Sequence, residues 1–148
     1  GLLSALYVIG PRFGWDALTL VGEVGFVHVE DLEPACGPNG CSTDLSYTRD
    51  AWAYSLLGLM DFRNITAGWD LQVPITFSAI GHGQSALLSG LGSLMGEGDM
   101  RTSIGVNFTR LQRLEGGMSY NAFLGSPHFE KRPYADRDYV AFTAKYRF

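Results

Sequence analysis

Lysine is almost missing from this chain of 148 residues: Lys131 and Lys145 are the only two. Eleven basic residues stand against 15 acidic ones, and the formal net charge is -4. That balance removes the electrostatic footing for nucleic-acid binding and leaves no polybasic patch for an anionic membrane surface. Charged residues make up only 18% and apolar types 46%, too apolar a composition for disorder. No run of about 18 apolar residues occurs, so a transmembrane helix is excluded. No basic segment or cleavage site precedes the apolar run Leu2, Leu3, Ala5, Leu6, Val8, Ile9. A secretory signal is therefore expected to have been removed, or to belong to a longer N-terminal part.

What the chain has instead is glycine (19 residues), aromatics (13%) and a period of two. In 138–148, Val140, Phe142, Ala144, Tyr146 and Phe148 alternate with Tyr139, Ala141, Thr143, Lys145 and Arg147. Segments 100–109 and 114–124 repeat the pattern, and 65–79 is apolar at every odd position from Ile65 to Ala79. Segments 17–29 and 50–62 alternate less cleanly, and 2–10 is apolar on both faces. Such alternation is the mark of a strand with one apolar face. Seven strands and no helix are expected.

Connection lengths alternate too. Short turns are expected at 10–16, 61–64 and 110–113, and long loops at 30–49, 80–98 and 125–136. Segments of about 9 to 15 residues exceed the five or six of an average globular strand and suit a tilted bilayer crossing. Short turns at one end and long loops at the other describe an antiparallel up-and-down transmembrane β-barrel. Phe62, Phe108, Tyr146 and Phe148 fall near the short-turn ends, and Phe26, Trp52, Tyr54 and Phe77 toward the long loops, where interfacial girdles belong. An odd strand count with a periplasmic C-terminus implies about seven C-terminal strands of a larger barrel, residues 1–148 being a portion of that one domain.

The mixed face carries Glu23, Asp70, Gln72, Arg101, Asn107, Glu115, Asn121, Lys145 and Arg147. Buried dry and unpaired these groups would be costly, so a wet lumen is their expected setting. Arg101 and Lys145 are placed on segments of opposite polarity. Glu23, Asp70, Arg101, Glu115, Lys145 and Arg147 could set selectivity or pair with a plug.

The run Gly96-Glu-Gly-Asp-Met-Arg-Thr-Ser-Ile-Gly-Val106 resembles the penultimate hairpin of the DUF1302 family of proteobacterial outer-membrane proteins. Met118-Ser-Tyr-Asn-Ala-Phe-Leu-Gly125, Asp136-Arg-Asp-Tyr-Val140 and Lys145-Tyr-Arg-Phe148 are similar to that family's C-terminus. Gly22–Gly25 and 69–83 fit less specifically. The resemblance implies a bacterial outer-membrane barrel longer than this chain, in a setting shared with proteins that move lipids, sterols or other hydrophobic compounds. It brings no catalytic residues. Tyr146-Arg147-Phe148 is separately similar to the C-terminal signal read by the outer-membrane barrel assembly machinery.

Cys36 and Cys41 bracket Gly37-Pro-Asn-Gly40, a sequence suited to a tight turn, and a structural disulfide is expected in an oxidising compartment. Zinc would need further ligands at tetrahedral reach, and no nearby His or Cys supplies them. His28, His82 and His128 map to three different long loops and read as scattered surface residues rather than a metal or pH-sensing site. A hydrolase using His82 or His128 with Ser85 or Ser126 has no nucleophile elbow to support it. The stretch 81–92 lacks the ending of a phosphate loop; it reads either as a flexible loop or as a contact for a hydrophobic solute. The expected function is a channel or transporter for a small hydrophobic or lipid-like solute, without enzyme activity or cofactor. Its partners would be the lipid bilayer, the assembly machinery and the solute, with no nucleic acid. Alternatives are a general diffusion porin and a soluble β-sandwich binding module.

Overall fold

The computed structural model describes residues 1–37, 40–42, 47–84, 94, 96–129 and 131–148. Nine strands and no helix occur among the described residues. They are β1 (Leu2–Ile9), β2 (Ala17–His28), β3 (Ala35–Gly37), β4 (Gly40–Ser42), β5 (Asp50–Thr66), β6 (Trp69–His82), β7 (Met100–Arg110), β8 (Leu114–Leu124) and β9 (Tyr139–Tyr146). Seven form one antiparallel sheet in the order β1-β2-β5-β6-β7-β8-β9, and β3 and β4 form a separate hairpin. Each long strand pairs with the next in the chain, so the sheet is a meander with β1 and β9 at its edges. It does not close on itself. Lys145 and Arg101 lie at opposite ends because β7 and β9, separated by β8 alone, run the same way; their expected opposite polarity is corrected.

Register turns the sequence alternation into faces. Leu18, Leu20, Gly22, Val24 and Phe26 stand beside Met60, Gly58, Leu56, Tyr54 and Trp52. The row through Leu20 and Gly58 continues to Ile75, Ile104, Tyr120 and Val140. Side chains directly opposite on paired strands share a face, so the apolar sets of all these strands fall on one side. β1, undecided by sequence, adds Leu3, Ala5, Tyr7 and Ile9 to it.

That apolar face is not covered. Phe142 is 75% exposed, Leu56 53% and Ile104 50%. The described residues that are buried are mostly small, such as Ala51, Ala53, Ala79 and Ala122, and only Ile80 among them is a large aliphatic. A water-soluble sandwich would turn this face inward, because burying each such side chain is worth about 1.5–3 kcal/mol.

One turn lies elsewhere than the alternation suggests. Sequence parity predicts a break at 61–64, yet β5 runs on to Thr66 and the chain reverses at Ala67 and Gly68. Ile65 and Ala67 keep the phase of the following strand by coincidence of numbering, while belonging to β5 and to the turn. Between the pairs Phe62–Leu71 and Thr66–Trp69 the register shifts, and Asn64 takes a left-handed φ of 51°. Two carboxylates hold the irregularity: Asp70 Oδ1 accepts the N–H of Asn64 at 2.8 Å, and Asp16 Oδ2 accepts that of Arg63 at 2.5 Å. β6 also extends to His82, three residues into the expected loop.

Candidate functional site

The face opposite the apolar one is the candidate site, and its composition changes with height. At the long-loop end one row runs Ser4, Glu23, Ser55, Ser78, Arg101, Phe123. Below it come Leu6, Val21, Leu57, Thr76, Ser103, Asn121 and Tyr139. The next level holds Val8, Thr19, Leu59 and Pro74, then Gly105, Ser119 and Ala141. Nearer the short turns stand Asp61, Gln72, Asn107, Gly117 and Thr143. Asp70, Thr109, Glu115 and Lys145 form the last row. The two middle rows contain no charged residue, and on β1, β2 and β5 they are mainly aliphatic.

At the long-loop end Arg101 is the centre of a cluster. Its Nη2 donates to Asp99 Oδ2 at 3.0 Å, and Asp99 is 4% exposed. The guanidinium lies 5.1 Å from the ring centre of Phe123 and 5.9 Å from that of Tyr134. Phe123 in turn packs near Tyr139 at 6.2 Å between ring centres. Aromatic faces and a buried carboxylate together compensate the cation's lost hydration. Asp99 and Tyr134 escape a reading by strands because both lie outside them; the spacing of Asp99 two residues before Arg101 was the available signal. Asp138 stitches the same end, accepting the Tyr120 hydroxyl at 2.5 Å and the Phe123 N–H at 2.9 Å. These two donors hold the Asp138 carboxyl below the usual carboxylate range.

At the short-turn end Glu115 accepts from Arg147 Nη2 at 2.8 Å and has Lys145 Nζ at 3.9 Å. Gln72 Nε2 donates to Asp61 Oδ1 at 2.9 Å and stands opposite Asn107. Asp70 shares this end, but its Oδ1 serves the Asn64 backbone. Of the expected set, Glu115, Lys145 and Arg147 are in contact, and Gln72 and Asn107 are neighbours. Asn121 donates to Ser119 Oγ at 3.1 Å, and Glu23 sits apart between Ser4 and Ser55. Among the described residues, open hollows of roughly 250–340 Å³ line β5 to β9 on this face, the one of about 340 Å³ reaching Gln72, Asn107, Glu115 and Lys145.

Aromatics band the apolar face at two heights. Trp52, Tyr54 and Phe77 form a chain with ring centres 6.0 and 5.9 Å apart near the long loops. Trp69 lies 5.6 Å from Phe108, and Tyr146 5.2 Å from Phe148, near the short turns. Two glycines make room for the rings: a Cβ at Gly81 would meet Trp52, and one at Gly116 would meet Phe108.

The histidines do not converge. His28 Nδ1 pairs with Asp50 Oδ1 at 2.5 Å, His82 Nδ1 with Glu97 at 3.5 Å, and His128 Nδ1 accepts the Lys131 N–H at 3.3 Å. No cluster of three metal-ligating side chains occurs among the described residues. Cys36 and Cys41 face each other in the β3–β4 hairpin and are joined as a disulfide. Pro38, Asn39, Ser85 and the rest of 85–93 lie outside the described residues.

A family model described as "Protein of unknown function (DUF1302)" matches residues 2–148. No curated protein and no solved structure matches the chain.

Proposed function

The chain belongs to the DUF1302 family, and from that premise we propose that its sheet is wall of a bacterial outer-membrane β-barrel that passes a small hydrophobic or lipid-like solute. The exposed apolar face meets lipid, and the opposite face lines a wet lumen. Trp52 and Phe62 are ten residues apart on β5, about 33 Å along a strand and about 25 Å once tilted by about 40°. That matches the height of an outer-membrane apolar band between its aromatic girdles. β1 and β9 run the same way, so an antiparallel barrel takes an odd number of further strands between them. The terminal Tyr146-Arg147-Phe148 is the segment we assign to the barrel assembly machinery.

The observation that carries the solute class is the uncharged waist. Charges stand at both ends of the lumen face, while Leu6, Val21, Leu57, Val8 and Leu59 form an aliphatic wall between them. An ion or a sugar leaving bulk water gains nothing from such a wall, whereas an apolar solute recovers its hydrophobic transfer energy there. A general porin would carry charge through the waist.

The test uses the full-length natural protein. In planar bilayers it should show small or no conductance. In intact Gram-negative cells, whose lipopolysaccharide leaflet is the barrier, it should speed entry of a naphthylamine dye that fluoresces only in hydrocarbon. Replacing Leu57 and Leu59 by Ser should lower that entry rate by about tenfold, the equivalent of two lost apolar contacts. Large conductance indifferent to the dye would make the protein a general porin. A full-length protein that stays soluble and never inserts would remove the membrane reading.

A further inference from the structure

Proline does not belong in the middle of a central strand. It has no N–H to give to a ladder and is ordinarily confined to edges and bulges. Pro74 nevertheless sits midway along β6, with β5 on one side and β7 on the other. The β6–β7 pairing records the consequence. It runs from Trp69–Arg110 to Gln72–Asn107 and resumes at Ile75–Ile104, leaving Val73, Pro74, Gly105 and Val106 outside the ladder. The β7–β8 pairing at the same height is unbroken, with Gly105 opposite Ser119 and Val106 opposite Met118. The defect belongs to one seam.

Its surroundings are those of a closed but weak joint. Gly105 has no side chain, and a Cβ there would lie 3.1 Å from Pro74 Cγ, so the ring fills the place a side chain would take. Ser119 and Ala141 continue the level across β8 and β9, which leaves the lumen clear in front of the gap. Just toward the long loops, side chains fasten the seam: Thr76 and Ser103 hydroxyls are 2.9 Å apart, and Thr102 Oγ1 donates to the Thr76 carbonyl at 2.9 Å. On the apolar face the gap is flanked by Val73 and Val106. Along the strands the interruption spans three residue steps, about 10 Å, with the register unchanged across it, so the two strands lie side by side and must part for a flat or single-chain apolar molecule to pass.

We propose that the β6–β7 seam at Pro74 and Gly105 is a lateral portal through which an apolar solute passes between the lumen and the bilayer. The proposal rests on the membrane-barrel reading and adds the route. Parting two strands in hydrocarbon costs every ladder hydrogen bond that is broken, since no water replaces it. Here part of that cost is already met, because Pro74 has no N–H to give to β7. The way out therefore opens at the height of the uncharged waist, and only for a solute that hydrocarbon accepts.

The test places Cys at Val73 and Val106 in the full-length protein, two cross-strand positions within disulfide reach on the lipid side. Oxidised, this variant should lose about tenfold or more of the dye entry rate, and reductant should restore it. Wild-type protein with reductant controls for Cys36–Cys41. Entry at the wild-type rate through the locked seam would overturn the portal. Hydrogen exchange in micelles reads the seam without any solute. Amides in 72–76 should exchange about tenfold faster than those in 116–120, and Pro74→Val should remove the difference by restoring roughly one hydrogen bond. If wild-type protein moves no dye, the solute reading fails alone, and the exchange comparison still decides the seam: equal rates overturn it.

Discussion

Asp138 ties the ends of two strands, β8 and β9, together with one carboxylate. It precedes β9, receives the hydroxyl of Tyr120 and the N–H of Phe123 on β8, and thereby fixes where the 125–138 loop rejoins the sheet. Its carboxyl titrates below the ordinary range because both donors favour the charged form. A depressed value means stabilisation that is complete above the unfolded carboxylate's range, about pH 4, and fades as pH falls through the folded value. Wild-type protein should therefore lose thermal stability on acidification from pH 4 toward pH 2 more steeply than Asp138→Asn, whose side chain does not titrate. Melting by circular dichroism across that range checks it; parallel curves would show that this contact contributes nothing. Single residues were the least legible scale. Sequence parity put Asp70 and Arg101 on the correct face, but their partners, Asn64 N–H and Asp99, lie in an irregular strand end and a loop. No periodicity reaches those places. The same limit applied to Pro74, which kept the alternation intact while withholding the hydrogen bond.

Strands were legible because alternation is a backbone property that survives any choice of partner. The bounds of β7 and β8 lie within a residue of the expected segments, and β2 and β1 differ by a residue at one end. Ends defined by turn chemistry were harder. The reversal at Ala67–Gly68 was hidden since Ile65 and Ala67 stay in phase with Trp69. The β3–β4 hairpin is too short to show a period at all. At the other end of β6, Gly83 takes a φ of 75°, and a Cβ there would lie 2.1 Å from the Asp50 carbonyl. Gln84 N–H donates to Thr48 Oγ1 at 2.7 Å beside it, so this end of β6 is held against the start of β5. Left-handed backbone and a backbone obstacle together leave a side chain no place to go. Gly83→Ala should cost about 1–3 kcal/mol in urea unfolding of the refolded protein. An unchanged midpoint would mean that this corner is not built as described.

Taken together, the described residues form a sheet with two unlike surfaces and almost no interior. Its aliphatic belt, its two aromatic bands and its charge-free waist are each set by register, which aligns patterns that the sequence shows only strand by strand. The share of β1 in the aliphatic wall could not be seen beforehand, because β1 is apolar on both faces and only its pairing with β2 decides which side chains join which side. The non-polar odd face of β5, with Leu57 and Leu59, is legible in the sequence. On the proposed reading lipid, not protein, covers the exposed face. Phe142 and Thr143 are adjacent on β9 and on opposite faces, beside Met118 and Gly117, so a charge at each distinguishes the two surfaces. Each would be changed to Arg in the full-length protein, and unfolding free energies measured in phospholipid vesicles. Phe142→Arg should cost about 2–4 kcal/mol, as a cation near the middle of the lipid face does, and Thr143→Arg much less. If Phe142→Arg were neutral, as a change at an exposed site in water usually is, or if the two variants were equal, the lipid-facing account would be wrong.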